Sequence, residues 1–346
     1  MNLYLHFPFC RRKCSYCALH SRPGSSPAER AAYIRNLAAS VTKLQTADRK
    51  LQTLYLGGGS PALCDLGPLF DALAPFVSGA TEFTVELHPL DVTPQLLAQL
   101  KSGGVNRISM GVQSLDDDIL SAMGRGYTFA EAERAFGLVR EYFENAGIDL
   151  IVGYPGEAAA LTPRHARLAK WGLSHCSVYS LILEEKTALS ALVERGKVAL
   201  PDDDTALNRI GILSRFLADI GLERYEISNY AIPGRECRHN LATWRGEDYI
   251  GLGDGAMGRV GLDRTANGEI VETVSPEMDL CERTIFRLRT REGLDAAKFP
   301  QWRVTLDKFV AEGLLTGDFP IYRLTERGTE ICDSILADLF LPNYPN

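Results

Sequence analysis

The chain has 346 residues, 45% of them apolar and 23% charged, and carries a net charge of −7 at neutral pH. That length predicts two domains, or one large barrel with an appendage, of ordinary globular composition. The acidic balance excludes a sequence-independent grip on nucleic-acid phosphates, which needs clustered Lys and Arg. No stretch approaches a membrane span and no basic-then-apolar leader precedes the first strand pattern, so a cytoplasmic location is expected.

The first apolar run, Leu3 to Phe7, leads directly into Cys10-Arg11-Arg12-Lys13-Cys14-Ser15-Tyr16-Cys17. Three thiolates within eight residues can close around one soft metal centre, and a [4Fe-4S] cube held by three cysteines keeps one iron open for another ligand. Zinc would need a fourth ligand, for which only His6 or His20 is near, and no second C-x2-C pair follows. The other five cysteines, Cys64, Cys176, Cys237, Cys281 and Cys332, stand singly in apolar segments, a pattern of reduced core cysteines and not of disulfides.

From Leu3 to about Leu181, short β-type runs alternate with helical ones. The strand candidates are Leu3–Phe7, Thr53–Leu56, Glu82–Leu87, Arg107–Val112, Asp149–Gly153 and Cys176–Leu181. Between them, Phe129, Ala132, Phe136, Val139 and Phe143 recur at three- and four-residue steps and share one helix face. Ser26 with Glu29, and Thr128 with Glu131, read as capping boxes; Thr93-Pro94 marks another helix start and Gly147 a helix stop. Six strand and helix units cannot close an eight-unit barrel of about 250 residues, but six eighths of that length is about 190. The expectation is an α/β fold: a partial (β/α)6 TIM-like barrel over residues 1–195, whose strand C-termini share one rim where sites collect. The unusual residues gather about those ends: the three cysteines, then Gly57-Gly58-Gly59-Ser60, Glu86, and Gln113 with Arg125 beyond it, while strand five begins at Asp149. Missing Cβ atoms in the glycine run let backbone N–H and C=O groups approach a ligand.

Beyond the barrel, Leu200-Pro201-Asp202 introduces a helix to about Ile220 within an α+β extension, residues 196–275. His239 and Trp244 follow; on its chemistry alone His239 reads as a histidine hydrogen-bonded in a turn beneath the Gly-rich segment. Gly253-Asp254-Gly255-Ala256-Met257-Gly258 fits a dinucleotide pattern, yet no helical run follows to receive phosphates, so it reads as a structural loop. Residues 276–346 offer helices around Cys281–Arg289, Val304–Glu312 and Thr325–Phe340 with a short β-like stretch, a small winged-helix-like module without a basic recognition face.

The C-x3-C-x2-C spacing with the later Gly-Gly-Gly resembles the radical S-adenosylmethionine (SAM) superfamily, in which the amino and carboxylate groups of SAM chelate the open iron. Tyr4, Gly58-Gly59-Ser60, Glu86, the run Val105 to Ser114, Arg125 and Asp149 to Gly156 resemble the oxygen-independent coproporphyrinogen III oxidase family. The resemblance implies a cluster on Cys10, Cys14 and Cys17, and SAM contacts from Tyr4, Gly58, Gly59, Ser60, Glu86, Gln113, Arg125 and Asp149. The passage Tyr225 to Trp244 is similar to the haem-chaperone (HemW) branch, as are the absence of a further cysteine in Cys17-Ala18-Leu19 and the start close to the cluster motif. That branch implies haem binding, with His239 as the candidate ligand, and transfer to an acceptor protein; the other branch implies a catalytic oxidoreductase acting on a porphyrinogen. Arg11, Arg12 and Lys13 would offset the cluster's charge or dock a flavodoxin-like electron donor. The chain departs from the family pattern at His88, Tyr127, Thr243 and Met257; Thr243 bears on haem contact and the other three on the rim of the site.

Overall fold

The computed structural model describes residues 1–44 and 50–340. Six parallel strands form the core: β1 (Asn2–Phe7), β2 (Thr53–Gly58), β3 (Glu82–Leu87), β4 (Arg107–Gln113), β5 (Ala146–Val152) and β6 (His175–Ser180). They lie side by side in chain order, each joined to the next through helical segments, as parallel pairing requires. Alternation along β1 sets the layers: Leu3, Leu5 and Phe7 are fully buried in the main core, while Asn2, Tyr4 and His6 face inward. Each fully buried side chain of that kind contributes about 1.5–3 kcal/mol.

The expected strands agree with those observed to within three residues at each end, and both capping boxes form. Gly147 is a correction: it lies inside β5, and the preceding helix already ends at Tyr142. Its role is a close approach, because a Cβ there would come within 2.6 Å of the His175 carbonyl oxygen on β6.

The extension adds to both edges of this sheet. Asn229–Ala231 (β7) pairs antiparallel with β6, and Tyr249–Leu252 (β8) pairs parallel with β1; with Glu223–Arg224 beyond β7 and Met257–Val260, Asp263–Ala266 and Glu269–Thr273 beyond β8, this sheet has twelve strands among the described residues. The glycine-rich passage is the loop out of β8, with Gly253 and Gly255 at φ +99° and +91°, and a strand, Met257–Val260, follows it. The C-terminal residues build a separate core around Trp302, Leu306, Tyr322 and Ile335. They comprise helices Pro276–Phe286 and Arg303–Ala311, a three-stranded sheet, and helices Glu326–Glu330 and Cys332–Phe340. The single helix expected over Thr325–Phe340 is therefore broken at Ile331.

The helix Arg238–Trp244 plugs the lower end of the barrel. No side chain of its own caps it; the Glu82 carboxylate on β3 accepts instead from the N–H groups of Arg238 at 2.8 Å and His239 at 3.1 Å, and from the Cys237 thiol at 3.5 Å.

Candidate functional site

The upper end of the barrel opens into a cavity of about 480 Å³. Its first wall is the loop after β1, where Cys10, Cys14 and Cys17 are half-buried free thiols. The Cys17 N–H donates to the Cys14 carbonyl at 3.3 Å, and Ser15 ties the loop down through its N–H to the Met123 carbonyl at 3.1 Å. Burial, followed by the charges of Cys17 and Cys14, pushes the Cys10 thiol up to about 11, so the three sulfurs feel one another. Arg125, almost fully buried, donates to Cys14 Sγ at 3.3 Å and to the Gly111 carbonyl at 2.7 Å, bringing a fixed positive charge to the thiols. The thiols line one hollow without closing on a point: among the described residues no three His, Cys, Asp or Glu side chains are gathered as a single-ion site.

The second wall is the glycine run at the end of β2. Gly58 sits at φ +103° beside the His6 ring, a conformation open to glycine. The N–H groups of Gly58, Gly59 and Ser60 are already spent, on Glu86 Oε2 at 2.9 Å, the Phe7 carbonyl at 2.6 Å and the Phe9 carbonyl at 2.7 Å. What this segment can still offer a ligand is carbonyl oxygen, which suits a cation. A Cβ on Gly59 would meet the Phe7 carbonyl at 2.7 Å and Cys10 Sγ at 3.0 Å. Gly59→Ala is therefore expected to push the cysteine loop outward and to lower bound iron and sulfide on reconstitution, while far-ultraviolet circular dichroism stays native. Full iron content in that variant would contradict the close approach.

Two carboxylates complete the polar wall. Glu86 packs over Gly57 and accepts from the Tyr55 hydroxyl at 2.7 Å; burial, then the charge of Asp149, pushes its carboxyl up to about 7. Asp149 receives the Ser109 hydroxyl at 3.0 Å. Gln113 lies at a β-bulge against β5 with φ +70°, a left-handed backbone in a non-glycine residue at the cavity edge.

Cys10, Cys14, Cys17, Gly58, Gly59, Ser60, Glu86, Gln113, Arg125 and Asp149 thus line one cavity, brought together from the ends of four strands and, at Asp149, from the middle of β5. Tyr4 and His239 do not line it. The Tyr4 hydroxyl lies 2.9 Å from His6 Nδ1. His239 is 6% exposed, its ring 5.0 Å from that of Tyr55. The Thr53 hydroxyl donates to Asn2 Oδ1 at 2.9 Å, so His239 Nδ1–H donates to Thr53 Oγ1 at 2.8 Å and Nε2 carries the lone pair. Burial, helped by the Arg107 charge, pushes this imidazole down to about 4. Trp244, the other aromatic of that passage, lies under the Arg289 guanidinium, 4.7 Å away, and against Phe286.

Of the departures, His88 and Tyr127 pack edge to face at 5.1 Å, and the Tyr127 hydroxyl lies 3.0 Å from Arg125 Nε, so these two belong together beside the thiols. Burial, then the charges of Arg125, Arg11 and Arg12, pushes His88 down to about 3, leaving it neutral. Met257 is a correction: it is exposed on a strand of the extension and does not line the cavity. Sequence reasoning passed over Tyr55, Asp91, Arg107, Ser109 and Tyr179, which also line the cavity. The period of two on β2 and β4 could have found Tyr55 and Ser109, which share their faces with Gly57 and with Arg107 and Gly111.

The radical SAM superfamily pattern matches residues 4–169. The haem chaperone HemW of Mycobacterium tuberculosis is 31% identical over 373 residues, covering 98% of this chain and 94% of the relative. The haem chaperone HemW of Bacillus subtilis is 35% identical over 277 residues, covering 77% and 73%. Among solved structures, coproporphyrinogen III oxidase (HemN) from Escherichia coli superposes with a TM-score of 0.79 at 19% identity, covering 98% of this chain and 89% of that one, which shows a shared fold.

Proposed function

Because the chain belongs to the HemW family of radical SAM proteins, we propose that it is a haem chaperone: it binds haem and passes it to an acceptor protein. The observation that carries this reading is sequence identity of 31% over 94% of a haem chaperone, together with a complete cysteine loop. Family membership implies a [4Fe-4S] cluster and SAM, and the residues present fit both. Three thiols spread over one hollow suit thiolates that each hold a different iron of a cube, and spent N–H groups beside two carboxylates suit the ammonium and sulfonium of SAM.

In this reading Cys10, Cys14 and Cys17 hold the cluster, which supplies an open iron and an electron when bound. Gly58, Gly59, Ser60, Glu86, Gln113, Arg125 and Asp149 contact SAM, and Tyr4 supports that wall from behind through His6. Arg125 offsets the thiolate charge, while Glu86 and Asp149 hold positive groups. Residues 1–195 form the core barrel, 196–275 the extension and 276–346 the C-terminal module, the last six lying outside the described residues. No helix among the described residues is long and apolar enough to cross a membrane; we place the protein in the cytoplasm, with a flavodoxin-like protein as its electron donor.

The test is an anaerobic haem titration of the cluster-reconstituted protein, followed by transfer to a haem-free acceptor such as apomyoglobin. A saturable one-to-one shift of the Soret band, with haem leaving to the acceptor, is expected; no specific shift would sink the reading. The complete polar wall also favours a second reading, a catalytic oxidoreductase, and formation of 5′-deoxyadenosine coupled to porphyrinogen turnover would establish it. Cys14→Ser is expected to lose most of the cluster's iron while the fold persists, checked by iron and sulfide analysis.

A further inference from the structure

We infer that haem docks on the barrel mouth, flat over the cavity, and not in the His239–Trp244 passage. The inference rests on the haem-carrier reading and adds to it where the macrocycle sits. Among the described residues thirteen large apolar side chains are exposed, and four of them line this one cavity: Ile182 at 70%, Leu19 at 55%, Tyr179 at 41% and Leu90 at 39%. Their positions follow from the topology. Leu19 comes after β1 and Ile182 after β6, the first and last of the six core strands, while Leu90 comes after β3 between them. Apolar side chains therefore surround the opening, and an exposed apolar patch with polar neighbours marks a place where an apolar ligand or partner binds.

The charge around that ring is one-sided. Arg11, Arg12 and Lys13 lie along the cysteine loop, and Glu184 lies beyond β6. Arg11 is committed, at 2.6 Å, to Asp91, whose side chain is 2% exposed. Among the described residues Lys13 donates to two neutral acceptors, the Leu19 carbonyl and Ser21 Oγ, each at 2.9 Å, and forms no ion pair. Arg12 is exposed. A rigid apolar disc with two carboxylates on one edge matches this surface: the disc covers the ring of apolar side chains and the carboxylates turn toward Arg12 and Lys13. The competing passage is closed, since His239 is 6% exposed behind Tyr55 and Trp244 already stacks under Arg289. Haem could reach His239 Nε2 only if the plugging helix moved.

The experiment titrates the cluster-reconstituted protein with haem and with haem dimethyl ester, in wild type, in Leu19→Asp/Ile182→Asp, in Arg12→Glu/Lys13→Glu and in His239→Gln. The mouth positions are exposed, so these variants keep the fold, verified by circular dichroism. The apolar double variant is expected to raise the Kd for haem by about ten-fold or more, the equivalent of losing one well-buried aliphatic contact. The charge double variant should weaken haem several-fold but leave the dimethyl ester unchanged, and His239→Gln should bind as wild type. Haem binding that survives both mouth variants overturns the docking site while leaving the carrier reading intact. Loss confined to His239→Gln overturns it in favour of the buried passage. Failure of the wild type to bind haem overturns the carrier reading, and the docking site with it.

Discussion

Glu86→Gln is expected to weaken SAM binding by about ten- to a hundred-fold at pH 8, the equivalent of one charge-assisted hydrogen bond of roughly 1.5–3 kcal/mol. The same substitution should stabilise the ligand-free protein at that pH. The reason is that the fold holds Glu86 against its own ionisation: burial, then the neighbouring charge of Asp149, moves its carboxyl from 4.5 to about 7. A carboxyl whose folded value is raised contributes stability that is fully present below 4.5 and lost as the pH rises through about 7. Above that point ionised Glu86 costs up to roughly 3 kcal/mol, which a neutral amide avoids. Glutamine can also keep both neighbours, its carbonyl accepting from the Gly58 N–H and its amide donating to the Tyr55 oxygen. Wild-type affinity for cationic SAM should therefore climb between pH 6 and 8 while the variant's stays level. Calorimetric titration and denaturant melts at both pH values check the two halves. Equal affinities, flat with pH, would show that Glu86 does not face the ligand's positive charge. If the expected pH dependence is found instead, Glu86 is a place where stability is given up for binding, as functional sites commonly are.

Glu82→Ala is expected to cost about 3–5 kcal/mol, the range for stripping the partner from buried polar and charged groups. Glu82 is 3% exposed and reaches across more than 150 residues of chain to the N–H groups of Arg238 and His239 and the Cys237 thiol. Alanine leaves those donors buried without an acceptor, and an orphaned buried donor costs about 1–3 kcal/mol. It also removes a negative charge within reach of Arg107, a guanidinium 2% exposed whose Nε has no partner. Glu82→Gln should fall between wild type and alanine, because one carbonyl still accepts while its amide faces donors. Chemical denaturation reads this as a lower midpoint; a loss below about 1 kcal/mol would mean that the helix is capped by water instead.

Both residues lie on β3, yet only one of them stood out in the sequence. Glu86 ends a strand beside other polar strand ends, and strand ends are where a barrel gathers its site. Glu82 begins the same strand, and nothing near it in the chain marks it, because its partners lie more than 150 residues away. The same contrast runs through the molecule. Capping boxes, strand period and the cysteine spacing are encoded within about ten residues, and contacts that local are written in order along the chain. That is why the six core strands, the helix starts and ten of the cavity's residues were legible from residue order alone. Parallel β8 against β1, the helix inside the barrel, and the burial of His239 depend on pairings across 186 to 247 residues. No local pattern distinguishes a histidine that donates to Thr53 from one that meets a ligand. The sequence by itself determined the barrel, its rim and the thiols upon it. The tertiary structure alone decided what fills the barrel's floor and which face stays open, because burial is a property of what packs against a residue and not of the residue's neighbours in the chain.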